Sequence, residues 1–142
     1  MRDLYEVGLV FRGFVLSKHK FKKIPVPNHK DSDSDLRGAF ISAINTFAHQ
    51  AFMTTSIEYL EMDHFLFIFK IESIKGKFSA QKEPIILYGL TEEQRNPDRY
   101  VRKFFEIAEP ILHNFIQKYS GSDFTELNRF KSYEEQIEKF FD

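Results

Sequence analysis

The chain has 142 residues, a formal net charge of −1 and no cysteine. That length fits one domain around one core. The near-zero charge argues against a nucleic-acid partner, and the missing thiols exclude disulfide staples and thiolate metal sites while fitting a reducing compartment.

Seventeen phenylalanines and six tyrosines, against no tryptophan, supply the apolar mass. No segment approaches the ~20 apolar residues of a membrane span. The start, Met1 to Glu6, carries acids where a signal peptide needs a basic head and an apolar stretch, so a cytoplasmic location is expected.

Leu4 to Phe11 and Phe14 to Phe21 are strand-like runs separated by Arg12-Gly13, a two-residue connection of hairpin type. In simple alternation Tyr5, Val7, Leu9 and Phe11 share one face of the first strand and Leu4, Gly8 and Val10 the other, which predicts a central strand covered on both sides. Residues 22–35 hold Pro25 and Pro27, lack periodicity and end in alternating Asp and Ser, the pattern of a mobile loop leading to a helix cap near Asp33 or Ser34.

From Leu36 to Phe52 a helix is expected, with Leu36, Phe40, Ala43, Ile44, Phe47 and Ala51 forming its buried stripe. Ser56 to Glu61 and His64 to Ile74 read as a second hairpin turning near Met62-Asp63, with Phe65, Phe67 and Phe69 on one face and Leu66 and Ile68 on the other. After a polar loop, Ile85 to Thr91 is a fifth strand. Asn96-Pro97 signals the start of a long helix. Its stripe is Val101, Phe104, Phe105, Ala108, Ile111, Leu112, Phe115 and Tyr119, with a kink expected at Pro110. Phe124 to Phe141 gives a last helix with Ile137, Phe140 and Phe141 inward. The order β-β-α-β-β-β-α-α, with a sheet apolar on both sides, predicts an α+β domain with helices on both faces.

Gly38 through Ser56 contains no Asp, Glu, Lys or Arg, in a chain where those four make up 29% of residues. Opposite the expected stripe, at ~100° per residue, lie Gly38, Ser42, Asn45, Thr46, His49, Gln50 and Met53. A solvated face would hold several charges, whereas the centre of an interface is depleted of them. A homodimer or partner contact is the functional reading; cover by the chain's own 22–35 loop is the bland one.

These residues resemble the longin and roadblock superfamily, specifically archaeal-type longin-like domains. The resemblance lies in LYEVGLVFRGFVLS, DLRGAFISAINTFAHQAF, SIEYLEMDHFLFIFKI and RKFFEIAEPILHNFIQKY, and covers nearly the whole chain. It implies a profilin-like three-layer α/β/α sandwich with sheet order 2-1-5-4-3. It also implies dimerisation, with itself or a paralogous longin or roadblock domain, and a role as platform for a Ras-like small GTPase in processes such as vesicle trafficking or signalling. The family's contact surface falls here on Gly38, Ser42, Asn45, Thr46, His49 and Met53, with Tyr59 at the strand edge. No catalytic motif and no cofactor is implied.

The histidines at 19, 29, 49, 64 and 113 show no metal-ligand spacing. Lys18, Lys20, Lys22 and Lys23, followed by Lys30, form a basic stretch that suits a phosphate-rich surface, an anionic membrane or a nucleic acid; the stronger reading is that lysines on an edge strand discourage edge-to-edge pairing. The alternative function carried forward is a small-molecule sensor, with a ligand between sheet and helix.

Overall fold

A computed structural model describes residues 1–25, 41, 43, 57–62 and 64–142. Five strands, β1 (Leu4–Phe11), β2 (Phe14–Lys20), β3 (Tyr59–Met62), β4 (Phe65–Ile74) and β5 (Glu83–Glu92), form one sheet in the order β2-β1-β5-β4-β3. Every strand pair is antiparallel. Helix α1 (Pro97–Tyr119) follows, then a 3-10 helix (Leu127–Tyr133) and helix α2 (Glu134–Phe141). This is an α+β chain with the sheet order expected, and among the described residues no helix is long and apolar enough to cross a membrane.

The Arg12-Gly13 connection closes the first hairpin with both residues at positive φ, 52° and 82°. Two consecutive left-handed residues match the twist of the flanking strands. Arg12 carries a Cβ into this region at some cost, and its guanidinium is tied to the start of β5 by bonds of 2.9 and 2.6 Å to Glu83. β1 is buried along its whole length, as a strand with neighbours on both sides should be.

Each face of the sheet has its own apolar cluster. Leu4, Val7, Leu9, Phe11, Leu66, Ile68, Ile85 and Leu87 pack against α1, the 3-10 helix and α2. Tyr5, Val10, Phe67, Phe69, Ile86, Tyr88 and Leu90 form the other cluster together with Ile24 and Ile41. β4 divides its side chains as its alternation predicts. β1 does not: a register irregularity between Leu4 and Glu6, where β1 pairs with β5, moves Leu4 to the helix-packed face and Tyr5 to the opposite one. One extra residue in a ladder reverses the facing of what precedes it.

Ile41 and Ala43 are both helical, within the stretch where a helix was expected. Ile41 is fully buried and Ala43 exposed, so Ala43 does not belong to the buried stripe assigned to it. The remainder of the Leu36–Phe52 stretch, the cap near Asp33 or Ser34, and Asp63 at the second turn lie outside the described residues. At the start of the expected mobile loop the chain is pinned, because Lys22 pairs with Glu92 at 2.6 Å and Ile24 is buried.

α1 begins on Asn96, whose side chain accepts from the Arg99 amide, with Pro97 in its first turn. It continues through Pro110, which lies on the exposed side and lacks the N–H of an interior position. The expected stripe is buried apart from Phe105, which is half-buried with the Lys70 ammonium 5.4 Å from its ring centre. The final helix is split: residues 127–133 are 3-10 and only Glu134–Phe141 is α. Tyr133, Ile137 and Phe141, four apart, face the core, and Phe140, expected inward, is 43% exposed. A helix of two turns against the sheet buries one narrow i, i+4 line, and Phe140 falls beside it.

Phe104 of α1 packs directly on Gly89 of β5, where any Cβ would overlap its ring. Phe104 is itself fully buried and cannot swing away. Gly89→Ala should therefore lower stability by about 2–3 kcal/mol, the usual cost of overpacking, read as a shift of the urea-unfolding midpoint at unchanged slope.

Candidate functional site

Of the residues expected to form an interaction surface, Tyr59 is described; Gly38, Ser42, Asn45, Thr46, His49 and Met53 lie outside the described residues. Tyr59 opens β3 at the sheet edge, as expected, and is half-buried against the helix-packed cluster. Its hydroxyl donates to Asp98 Oδ1 at 2.7 Å, in the first turn of α1. This bond needs the phenolic proton and so holds the Tyr59 pKa above its ordinary value. Tyr59 thus ties the edge strand to the helix start, and its hydroxyl already has a partner within the chain.

The sheet face that Ile41 covers holds a buried polar pair that the sequence did not suggest. Glu6 is 0% exposed, and its carboxylate accepts a hydrogen bond of 2.6 Å from the Tyr88 hydroxyl. Gly8 stands opposite Tyr88 in the β1–β5 register, and a Cβ there would lie 2.6 Å from the phenol ring. The absent side chain is what lets the ring lie across β1 and reach Glu6. One signal was available, since Glu6 is the sole charged residue between Leu4 and Phe11 in a strand read as covered on both faces.

Where β1 begins and β5 ends, several polar groups converge. Lys22 bonds Glu92 at 2.6 Å and lies 4.9 Å from the Tyr5 ring centre, and Gln94 donates to Asp3 Oδ2 and to the Glu92 carbonyl. The bond to Glu92 raises the Lys22 pKa further. The Tyr100 hydroxyl is buried here without a hydrogen bond among the described residues, its contact with Thr91 falling outside hydrogen-bond geometry, and burial holds its pKa well above the ordinary tyrosine range.

The basic stretch divides. Lys18 and Lys20 lie on β2, an edge strand, where lysine guards against pairing with another chain. Lys22 is committed to Glu92, and Lys23 is exposed. His19 lies 3.4 Å from Glu134. Among the described residues no three His, Asp or Glu side chains gather where they would hold a metal ion.

Compared with known protein families, curated proteins and solved structures, the chain matches none. Its chemistry is therefore judged from its own geometry. The bond between Tyr88 and Glu6 links β5 to β1 and helps to fix their register. Tyr88→Phe keeps the ring over Gly8 but takes a donor from a buried carboxylate. It should cost about 1–3 kcal/mol in chemical denaturation, with the far-ultraviolet circular dichroism of the folded protein unchanged.

Proposed function

We propose that the chain is a non-catalytic interaction domain that pairs with itself or with a paralogous longin- or roadblock-like domain and serves as a platform for a Ras-like small GTPase. One observation carries this reading. Gly38 through Ser56 is devoid of Asp, Glu, Lys and Arg, yet it contributes Ile41 to the core and presents Ala43 outward. A segment that spends one side on the sheet and keeps the other free of charge is suited to contact with another polypeptide.

The observed strand order, β2-β1-β5-β4-β3, is the one the longin resemblance implies, and the packing of Ile41 with Tyr5, Phe67 and Tyr88 on the face away from α1 supports a three-layer arrangement. The contact is assigned to Gly38, Ser42, Asn45, Thr46, His49 and Met53, which lie outside the described residues. Tyr59 supplies the neighbouring strand edge, held in place by Asp98.

Light scattering coupled to gel filtration tests the pairing. The wild type should run at twice the chain mass at tens of micromolar, by the order of affinity usual for modest interfaces. Thr46→Arg and Met53→Glu should each shift it toward monomer by at least about tenfold in dissociation constant, leaving the unfolding midpoint of the monomer in place. A chain that stays monomeric at every concentration and retains no small GTPase from its host would remove the proposal; a metabolite that co-purifies and raises the melting temperature would replace it with ligand sensing.

A further inference from the structure

We propose that the end of the sheet formed by the Arg12-Gly13 turn and the loop of residues 75–82 is a docking surface for an anionic lipid bilayer, with Phe78 as the inserting side chain. Phe78 is 76% exposed, the highest value among the exposed large apolar residues described, and Phe14, 53% exposed, follows the hairpin turn at the same end of the sheet. Single exposed apolar residues are ordinary on protein surfaces. What sets Phe78 apart is how it is held and what surrounds it.

The loop is braced on both sides. The Gly121 amide donates to the Lys75 carbonyl at 2.7 Å, and the Lys77 amide to the Ser122 carbonyl at 2.9 Å. The Ser79 amide donates to the Gly76 carbonyl at 3.2 Å, closing a turn with Lys77 and Phe78 at its two central positions. Gly76 is buried against Phe124, where a Cβ would come within 2.9 Å of the ring. On the other side the Ser79 hydroxyl donates to Glu83 at 2.7 Å and meets the Arg12 guanidinium at 3.4 Å. These bonds fasten the residues on each side of the apex and hold Phe78 there, so an apolar receptor outside the chain need not pay to order the loop.

The surrounding charge chooses the receptor. Lys75, Lys77 and Lys82 are all exposed, and residues 75–82 contain no acid. The Glu83 carboxylate that follows the loop is paired with Arg12. A local excess of lysine on a chain of net charge −1 directs this end, rather than the whole protein, toward an anionic surface. The Lys77 ammonium lies 5.4 Å from the centre of the Phe78 ring. That spacing lets the ring enter the acyl boundary while the ammonium stays level with lipid phosphates. One exposed apex ring fits a plane; a nucleic-acid strand is tracked by a groove carrying successive aromatic platforms.

Co-sedimentation of the full chain with vesicles tests this. Wild type should bind phosphatidylcholine vesicles containing about one third phosphatidylserine and stay in solution with phosphatidylcholine alone. Phe78→Ala should weaken binding by about tenfold, and Lys77→Glu by at least about tenfold. Phe140→Ala should bind as wild type, because its neighbour Phe141 meets Met1 at the opposite end of β1. Circular dichroism should be the same for all four proteins. A wild type that remains in the supernatant, equal binding to neutral and anionic vesicles, or Phe78→Ala and Lys77→Glu proteins that sediment like wild type would overturn the proposal.

Discussion

Tyr88 and Gly89 are consecutive on β5, and between them they set the packing of both faces of the sheet. Tyr88 lies across Gly8 and bonds Glu6 on one face, while Gly89 admits Phe104 of α1 on the other. Each arrangement needs a bare backbone at one position and a large ring at the facing one, and their adjacency couples the two faces through a single strand. A register slip of one residue would exchange the faces, driving each ring into a side chain and stranding a buried carboxylate. The order of the central strands follows from this constraint, and so does the requirement that the Tyr88 face be covered, since Glu6 is fully withdrawn from water.

The two ends of the sheet are finished differently. Where β1 starts and β5 ends, Lys22 bonds Glu92 and Gln94 bonds Asp3, and these polar contacts hold chain segments together. At the other end the ion pair of Arg12 and Glu83 secures the turn, but the lysines of the following loop and the rings of Phe14 and Phe78 face out. The first end is built for cohesion and the second for contact.

Much of the fold is legible in the sequence where periodicity is long and local. The stripe of α1 needed only its own spacing, and the Arg12-Gly13 hairpin and the Phe65, Phe67, Phe69 alternation were equally direct. The errors arise where the deciding contact is distant. The reversal of Leu4 and Tyr5 comes from an irregular pairing with β5, some eighty residues away, and strand alternation alone does not reveal it. Phe140 was read inward because it is apolar at a helical spacing, yet two turns bury only the line through Tyr133, Ile137 and Phe141. The roles of Glu6 and Asp98 have no local signature, because their tyrosine partners, Tyr88 and Tyr59, lie on other elements. Ala43 shows the same limit, since a helical wheel does not fix how a helix is turned against a sheet, and Ala43 is exposed where Ile41 is buried.

The central claim is that the Tyr88 face is sealed through Ile41 while Ala43, two residues on, looks away from it. Equilibrium unfolding of Ile41→Asp beside Ala43→Asp, at a chain concentration low enough to keep the protein monomeric, tests this most directly. The account predicts a loss of at least about 3 kcal/mol for a charge forced into the core at Ile41, against a change within about 0.5 kcal/mol at Ala43. Equal stabilities for the two variants, or a tolerant Ile41 beside a sensitive Ala43, would contradict it.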